Sequence, residues 1–200
     1  VTVSVLYCEQ EMADSDRCFK LIVHGTVESA ECLSAGSMYC RSTVVIGRDW
    51  SYVVQGGERA NTVDVVTQIA ERKPGARALF TWNAPFEFVL ESPTPAGWPQ
   101  LALSAMTIGG DGKGVAMGYA RCHVPRKPGT YTVQLPMLDP VYSAPKHQLF
   151  GKFARKPEMA DPTFLCSPDD HAFLSAKAVP GHIQVTFHVA LQNFEQMGFR

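Results

Sequence analysis

The sequence predicts an all-β domain: a two-layer antiparallel sandwich of about eight short strands, with one short helix and a short C-terminal helical turn. Three observations predict it. Apolar residues recur at every second position in several stretches, the side-chain period of a strand with one wet face. The cleanest case sets Ile183, Val185, Phe187 and Val189 against Gln184, Thr186 and His188. The 14 prolines and 16 glycines are spread along 200 residues rather than clustered, which calls for many turns and therefore many short strands. Helical spacing is confined to Lys146 to Lys156, where Leu149, Phe150 and Phe153 share one side and Lys152, Arg155 and Lys156 another.

Taken in order, Val1 to Cys8 alternates apolar and polar residues without a basic flank and reads as a strand rather than a signal peptide. Glu9, Glu11, Asp14 and Asp16 then form an acidic linker. Residues 1–17 are thus an N-terminal extension, 18–191 the domain and 192–200 a tail. Cys18 to Val27 is a strand with Phe19, Leu21 and Val23 on one face, and Gly25 within it suggests a bulge. Met38 to Gly47 is the second strand, its Thr43 to Ile46 run apolar enough for the middle of a sheet. Thr62 to Glu71 is rich in β-branched residues and reads as a strand, as does Ala78 to Trp82.

Phe86, Phe88 and Leu90 alternate with Glu87, Val89 and Glu91 in a half-buried strand. Pro93, Pro95 and Pro99 then remove three backbone donors and force a turn at a sheet edge. Trp98 sits in that turn and is expected to plug the end of the sandwich. Gly97 beside it is expected to matter through its φ or through close approach of the indole. Leu101, Leu103 and Ala105 mark the next strand, and Val115 to Val124 and Thr130 to Leu135 two more. These last two are joined at Pro128-Gly129, where one residue fixes φ and the next tolerates φ > 0. Asn193 to Gly198 reads as a last helical turn.

Composition and motif chemistry exclude several classes. A hydrophobic share of 46%, a charged share of 18% and a net charge of −1 lack the basic excess of a nucleic-acid binder. Six cysteines without a Cys-x-x-Cys pair read as free thiols of a reducing cytosol. Cys122-His123 cannot act as nucleophile and base, because adjacent strand residues point to opposite faces. Gly109 to Gly114 lacks the spacing of a phosphate loop and reads as an inter-strand loop. Calcium needs six to eight oxygens, whereas Asp49, Asp111, Asp139 and Asp161 come singly from loops and only Asp169-Asp170 are adjacent. The residues therefore predict no catalytic site, no metal site and no cofactor. Sheet edges and loop surfaces remain as resources for recognition.

Several motifs stand in order: Ser92-Pro-x-Pro-x-Gly97-Trp98-Pro99-Gln100, then Gly118-Tyr119-x-x-x-His123-Val124-Pro125-x-x-Pro128-Gly129, then Leu135-Pro136-Met137. With Gly47-Arg-Asp-Trp50 and Leu79 to Pro85 upstream, they resemble the B9-domain family over roughly Phe19 to Phe199. The resemblance implies a C2-like sandwich in which Gly97, Trp98, Pro99, Gly118, Tyr119, His123, Pro125, Pro128, Gly129 and Pro136 are mainly structural signature positions. It further implies a non-enzymatic subunit of the tectonic-like (Meckel syndrome) complex at the ciliary transition zone and basal body. Such a subunit would be cytoplasmic, would bind a second B9-domain protein directly and the Meckel syndrome type 1 protein through it, and would serve ciliogenesis and the ciliary diffusion barrier. The alternative is a peripheral membrane module, with Arg126, Lys127, Lys152, Arg155 and Lys156 as a basic surface for anionic lipid or for a partner.

Overall fold

The computed structural model describes residues 18–53, 64–72, 78–141, 157–167 and 175–199. The strands are β1 (Phe19–Cys32), β2 (Ser37–Val45), β3 (Ser51–Tyr52), β4 (Asp64–Val66), β5 (Ala70–Glu71), β6 (Leu79–Ser92), β7 (Gln100–Ile108), β8 (Gly114–His123), β9 (Gly129–Pro140) and β10 (Ala176–Gln192). A 3₁₀ helix, Pro162–Cys166, precedes β10. The fold is all-β and antiparallel, in the order β3-β6-β1-β10-β9-β8-β7-β2-β4, with β5 also on β2.

The two expected layers are two halves of one curled sheet. β8 and β9 are joined by a single pair, Tyr119 opposite Leu138. Either side of that seam the halves turn their inner faces to one core, so that Phe19, Leu21 and Phe187 belong to the same cluster as Met38, Leu101 and Leu103. The alternation read from the sequence supplies these faces: in β6, Phe80, Trp82, Ala84, Phe86, Phe88 and Leu90 are all buried and the residues between them more exposed. The Trp82 indole ties the halves together, donating to the Met38 carbonyl at 3.0 Å.

Several boundaries differ from the sequence expectation. Ala78 to Trp82 and Phe86 to Glu91 are one strand, because β6 carries only two-residue β3 on its outer side and an edge tolerates the missing donor of Pro85. Thr62 to Glu71 is not one strand: Thr67 turns inward, its amide bonding the Cys40 carbonyl and its hydroxyl accepting the Cys40 amide, both at 2.9 Å, and so separates β4 from β5. The bulge in β1 is not at Gly25 but between Val27 and Ser29, where Glu28 is extra relative to β10 and faces Trp82 and Asn83 of β6. Gly25 instead makes room for the Phe86 ring, which a Cβ would approach to 2.2 Å. Asp139 is not a loop residue: it is buried in β9 and paired with Lys177 at 3.5 Å.

The helix expected over Lys146 to Lys156, the Asp169-Asp170 pair and the extension over 1–17 lie outside the described residues. The described helix, Pro162–Cys166, carries no apolar periodicity long enough to read from sequence; Asp161 caps it by accepting from the Thr163 amide at 2.9 Å. After β10 the chain turns at Asn193 (φ 63) and brings Phe194 and Phe199 back onto Phe19, at ring-centroid distances of 4.8 and 5.8 Å.

Candidate functional site

The proline-rich turn between β6 and β7 is stitched to two other loops at one end of the molecule. The Trp50 indole donates to the Ala96 carbonyl at 2.7 Å, and the Gly47 amide to the Gly97 carbonyl at 3.1 Å. The Ser92 hydroxyl lies 2.9 Å from the Asp49 carbonyl and 2.7 Å from that of Thr94. On the other side the Trp98 indole donates to the Val124 carbonyl at 2.8 Å, and the Val124 amide to that of Pro99 at 3.0 Å. Trp98 is only 4% exposed, lies edge-on to Trp50 at 5.1 Å and stacks on Phe19 at 6.3 Å. An aromatic cluster thus fastens three loops.

The remaining signature positions serve the sheet. Gly118 lies at the β8–β9 seam, where a Cβ would come within 3.0 Å of the Met137 Cβ, and Tyr119 makes the one β8–β9 pair. The Tyr119 hydroxyl accepts the Met159 amide at 3.1 Å, which holds the segment leading into the 3₁₀ helix over the outer face of β8. Burial, more than the nearby Glu158 and Asp139, pushes its phenol above the ordinary tyrosine value. Pro125 and Pro128 flank the bend between β8 and β9, Gly129 (φ 144) opens β9, and Pro136 stands opposite His182 where β10 makes a register step after Val179.

Above the loops lies a groove of about 1080 Å³. Arg48, Arg121, His123 and Arg126 line it, with Asp49 and Asp161 as its acids. Arg121 and His123 are two apart in β8 and share this face, while Cys122 between them packs against the main core. Burial pushes the Cys122 thiol up to about 12, so it is no nucleophile at neutral pH. Burial first, then the guanidinium groups of Arg121 and Arg126, hold His123 below the ordinary histidine value. The Arg126 guanidinium lies 5.8 Å from the centre of the Trp98 ring. Arg121 donates to the Gln100 side-chain oxygen at 3.2 Å, and the Gln100 amide donates to the Cys166 carbonyl at 2.8 Å. Asp161 accepts from the Thr163 amide and hydroxyl, and these bonds hold its carboxyl below the usual range.

Of the five cations expected to form one basic surface, the structure describes Arg126 and Lys127, both exposed in the bend after β8; Lys152, Arg155 and Lys156 lie outside the described residues. Arg126 gathers with Arg48 and Arg121, neither of which is among the five cations of the expected basic surface. Arg48 is visible in the sequence inside Gly47-Arg-Asp-Trp50, but its nearness to Arg121 depends on how β2 and β8 flank β7. Among the described residues, no three His, Cys, Asp or Glu side chains are placed to hold a metal ion, and no helix is long and apolar enough to cross a membrane.

B9 domain-containing protein 1 of Xenopus laevis is 29% identical over 94% of this chain and 92% of its own length. The human protein of that name is 30% identical over 90% and 86%. B9 domain-containing protein 2 of Rattus norvegicus is 26% identical over 88% and 95%. A C2 domain of plant extended synaptotagmin 1 aligns with 84% of this chain and 92% of its own, a distant likeness at 13% identity and a TM-score of 0.41. A family model described as B9-C2, "Ciliary basal body-associated, B9 protein", matches residues 21–190, and so spans the curled sheet from β1 to β10; the chain belongs to this B9 family.

Proposed function

We propose that, within the ciliary role its family supports, this chain is a non-enzymatic structural subunit of the tectonic-like (Meckel syndrome) complex at the transition zone. It binds a second B9-domain protein directly and the Meckel syndrome type 1 protein through it, works without cofactor or calcium, and is required for ciliogenesis and the diffusion barrier at the ciliary base. The observation that carries this reading is that the family match covers the whole sheet, while similarity over most of the chain extends to two kinds of B9 protein. The β6 edge is poorly suited to such contacts: Asn83 (φ 50) and Pro85 interrupt its outer side, a device that discourages edge-to-edge pairing. The subunit reading has the family match behind it, which the membrane alternative does not.

Co-expression with a B9 domain-containing protein 2 from the same source, followed by size exclusion, tests it. The expected result is one co-eluting complex that also retains the Meckel syndrome type 1 protein when that chain is added. Separate elution of the two B9 chains at micromolar concentration overturns the direct contact. A tagged chain absent from the ciliary base overturns the placement.

A further inference from the structure

We propose that the groove lined by Arg48, Arg121 and Arg126 is a binding site for a small phosphate-bearing ligand, with the three guanidinium groups gripping a phosphate. The inference is independent of the subunit role. Its first support is that two of the arginines are positioned by neutral groups. Arg121 is held by Gln100, itself anchored to the Cys166 carbonyl, and Arg126 lies by Trp98. Among the described residues, none of the three arginines forms an ion pair. Charged side chains are normally ordered by opposite charge; here two are ordered without it, which leaves their charge available to an incoming anion.

Three arginines stand there against two acids, Asp49 and Asp161. Asp161 spends one oxygen on the Thr163 amide and hydroxyl, and its lowered titration traces to those bonds rather than to an arginine. His123, at the end of β8, is lowered by burial first and then by the positive charge of Arg121 and Arg126. The groove, at about 1080 Å³, is roomy enough for a small molecule. Phosphate is the matching chemistry because guanidinium forks pair with two oxygens at a time, and a phosphomonoester presents three terminal oxygens to three forks, whereas one carboxylate presents two.

The test uses the full chain at low salt, with isothermal titration calorimetry as the readout. The probes are inositol trisphosphate, a glutamate-rich peptide, and phosphatidylcholine vesicles with or without phosphatidylinositol bisphosphate. The expected result is saturable binding of inositol trisphosphate, weakened roughly tenfold or more by Arg121→Gln and by Arg48→Gln. Lys127→Gln, outside this groove, should leave affinity unchanged, and all three variants should melt as the parent does. Flotation with the bisphosphate-bearing vesicles, competed by the soluble headgroup, identifies a lipid source. Binding of the soluble probe without flotation identifies a free phosphate ligand, and either result supports the site. Absence of binding, an equal loss in Lys127→Gln, or tighter binding of the glutamate-rich peptide overturns it.

Discussion

Gly47 and Gly97 meet backbone to backbone. The Gly47 amide donates to the Gly97 carbonyl at 3.1 Å, and a Cβ built on Gly97 would lie 2.9 Å from the Gly47 Cα. Gly97 also has φ +64, a conformation L side chains rarely adopt, and a Cβ on Gly47 would press to 2.6 Å against the Gly97 oxygen. Neither contact can be relieved by a side-chain rotation, since the opposing atoms are backbone. We expect Gly97→Ala and Gly47→Ala each to lose about 1–3 kcal/mol of stability in urea unfolding. Because both open the same contact, the double variant should lose less than the sum. An alanine variant with the parent's midpoint and slope would show that the loops have room the structure does not give them.

The glycine of β1 answers to a different partner. Gly25 stands opposite Phe86 in β6 and Phe187 in β10, and those rings lie edge-on to one another at 5.7 Å. Phe86 also stacks on Phe88 at 6.1 Å, so it cannot swing away from a new methyl group. Gly25→Ala should therefore cost about 1–3 kcal/mol. Phe86→Leu in that background should cost less than Phe86→Leu alone, because the smaller side chain vacates the space the methyl group needs. Equal costs in the two backgrounds would mean that ring and methyl never compete.

Burial of a thiol gives the fold a pH dependence on the alkaline side. Cys40 in β2 is fully buried, and burial, partly offset by a bond to the Ser104 backbone, raises its thiol from 9.0 to about 12. The folded chain holds this proton more tightly than the unfolded chain. The Cys40 contribution is therefore intact below pH 9 and declines as pH rises from there towards 12, at about 1.4 kcal/mol per pH unit. Cys122 acts in the same direction. Urea midpoints should fall between about pH 8 and about pH 10, and less steeply in Cys40→Ala, which removes one of the linked protons. A Cys40→Ala slope equal to the parent's would assign the alkaline loss to other groups.

The same contrast between local and distant information separates what the sequence makes legible from what it hides. The inward sets Phe80 to Leu90 and Ile183 to Val189 were readable because strand period is a property of neighbouring residues. So was the turn chemistry around Gly97 and Gly129. The continuity of β6 through Pro85 is hidden because the cost of a missing donor depends on whether a strand lies alongside, which composition does not state; the role of Gly25 is hidden because the ring that needs its space belongs to a distant strand. The groove shows the same limit more sharply. Arg126 belongs to the basic surface expected from the sequence, yet its companions Arg48 and Arg121 stand outside that set, and only the pairing of β7 with β2 on one side and β8 on the other brings them to one end.

That convergence can be measured at His123. Its imidazole is held below the ordinary value by burial and then by the positive charge of Arg121 and Arg126. Arg121→Gln removes one of these charges without adding bulk, so protonation becomes easier and the His123 titration, followed by NMR, should move to higher pH. Arg126→Gln should move it in the same direction, and the double variant further than either. Lys127→Gln, which does not line the groove with them, should leave it in place. Added inositol trisphosphate should also raise the titration in the parent chain, since bound anion offsets the two guanidinium charges, and should do so less in Arg121→Gln. A His123 titration indifferent to both arginine substitutions would mean that the three side chains do not share a field, and the groove would lose the electrostatic character argued for it.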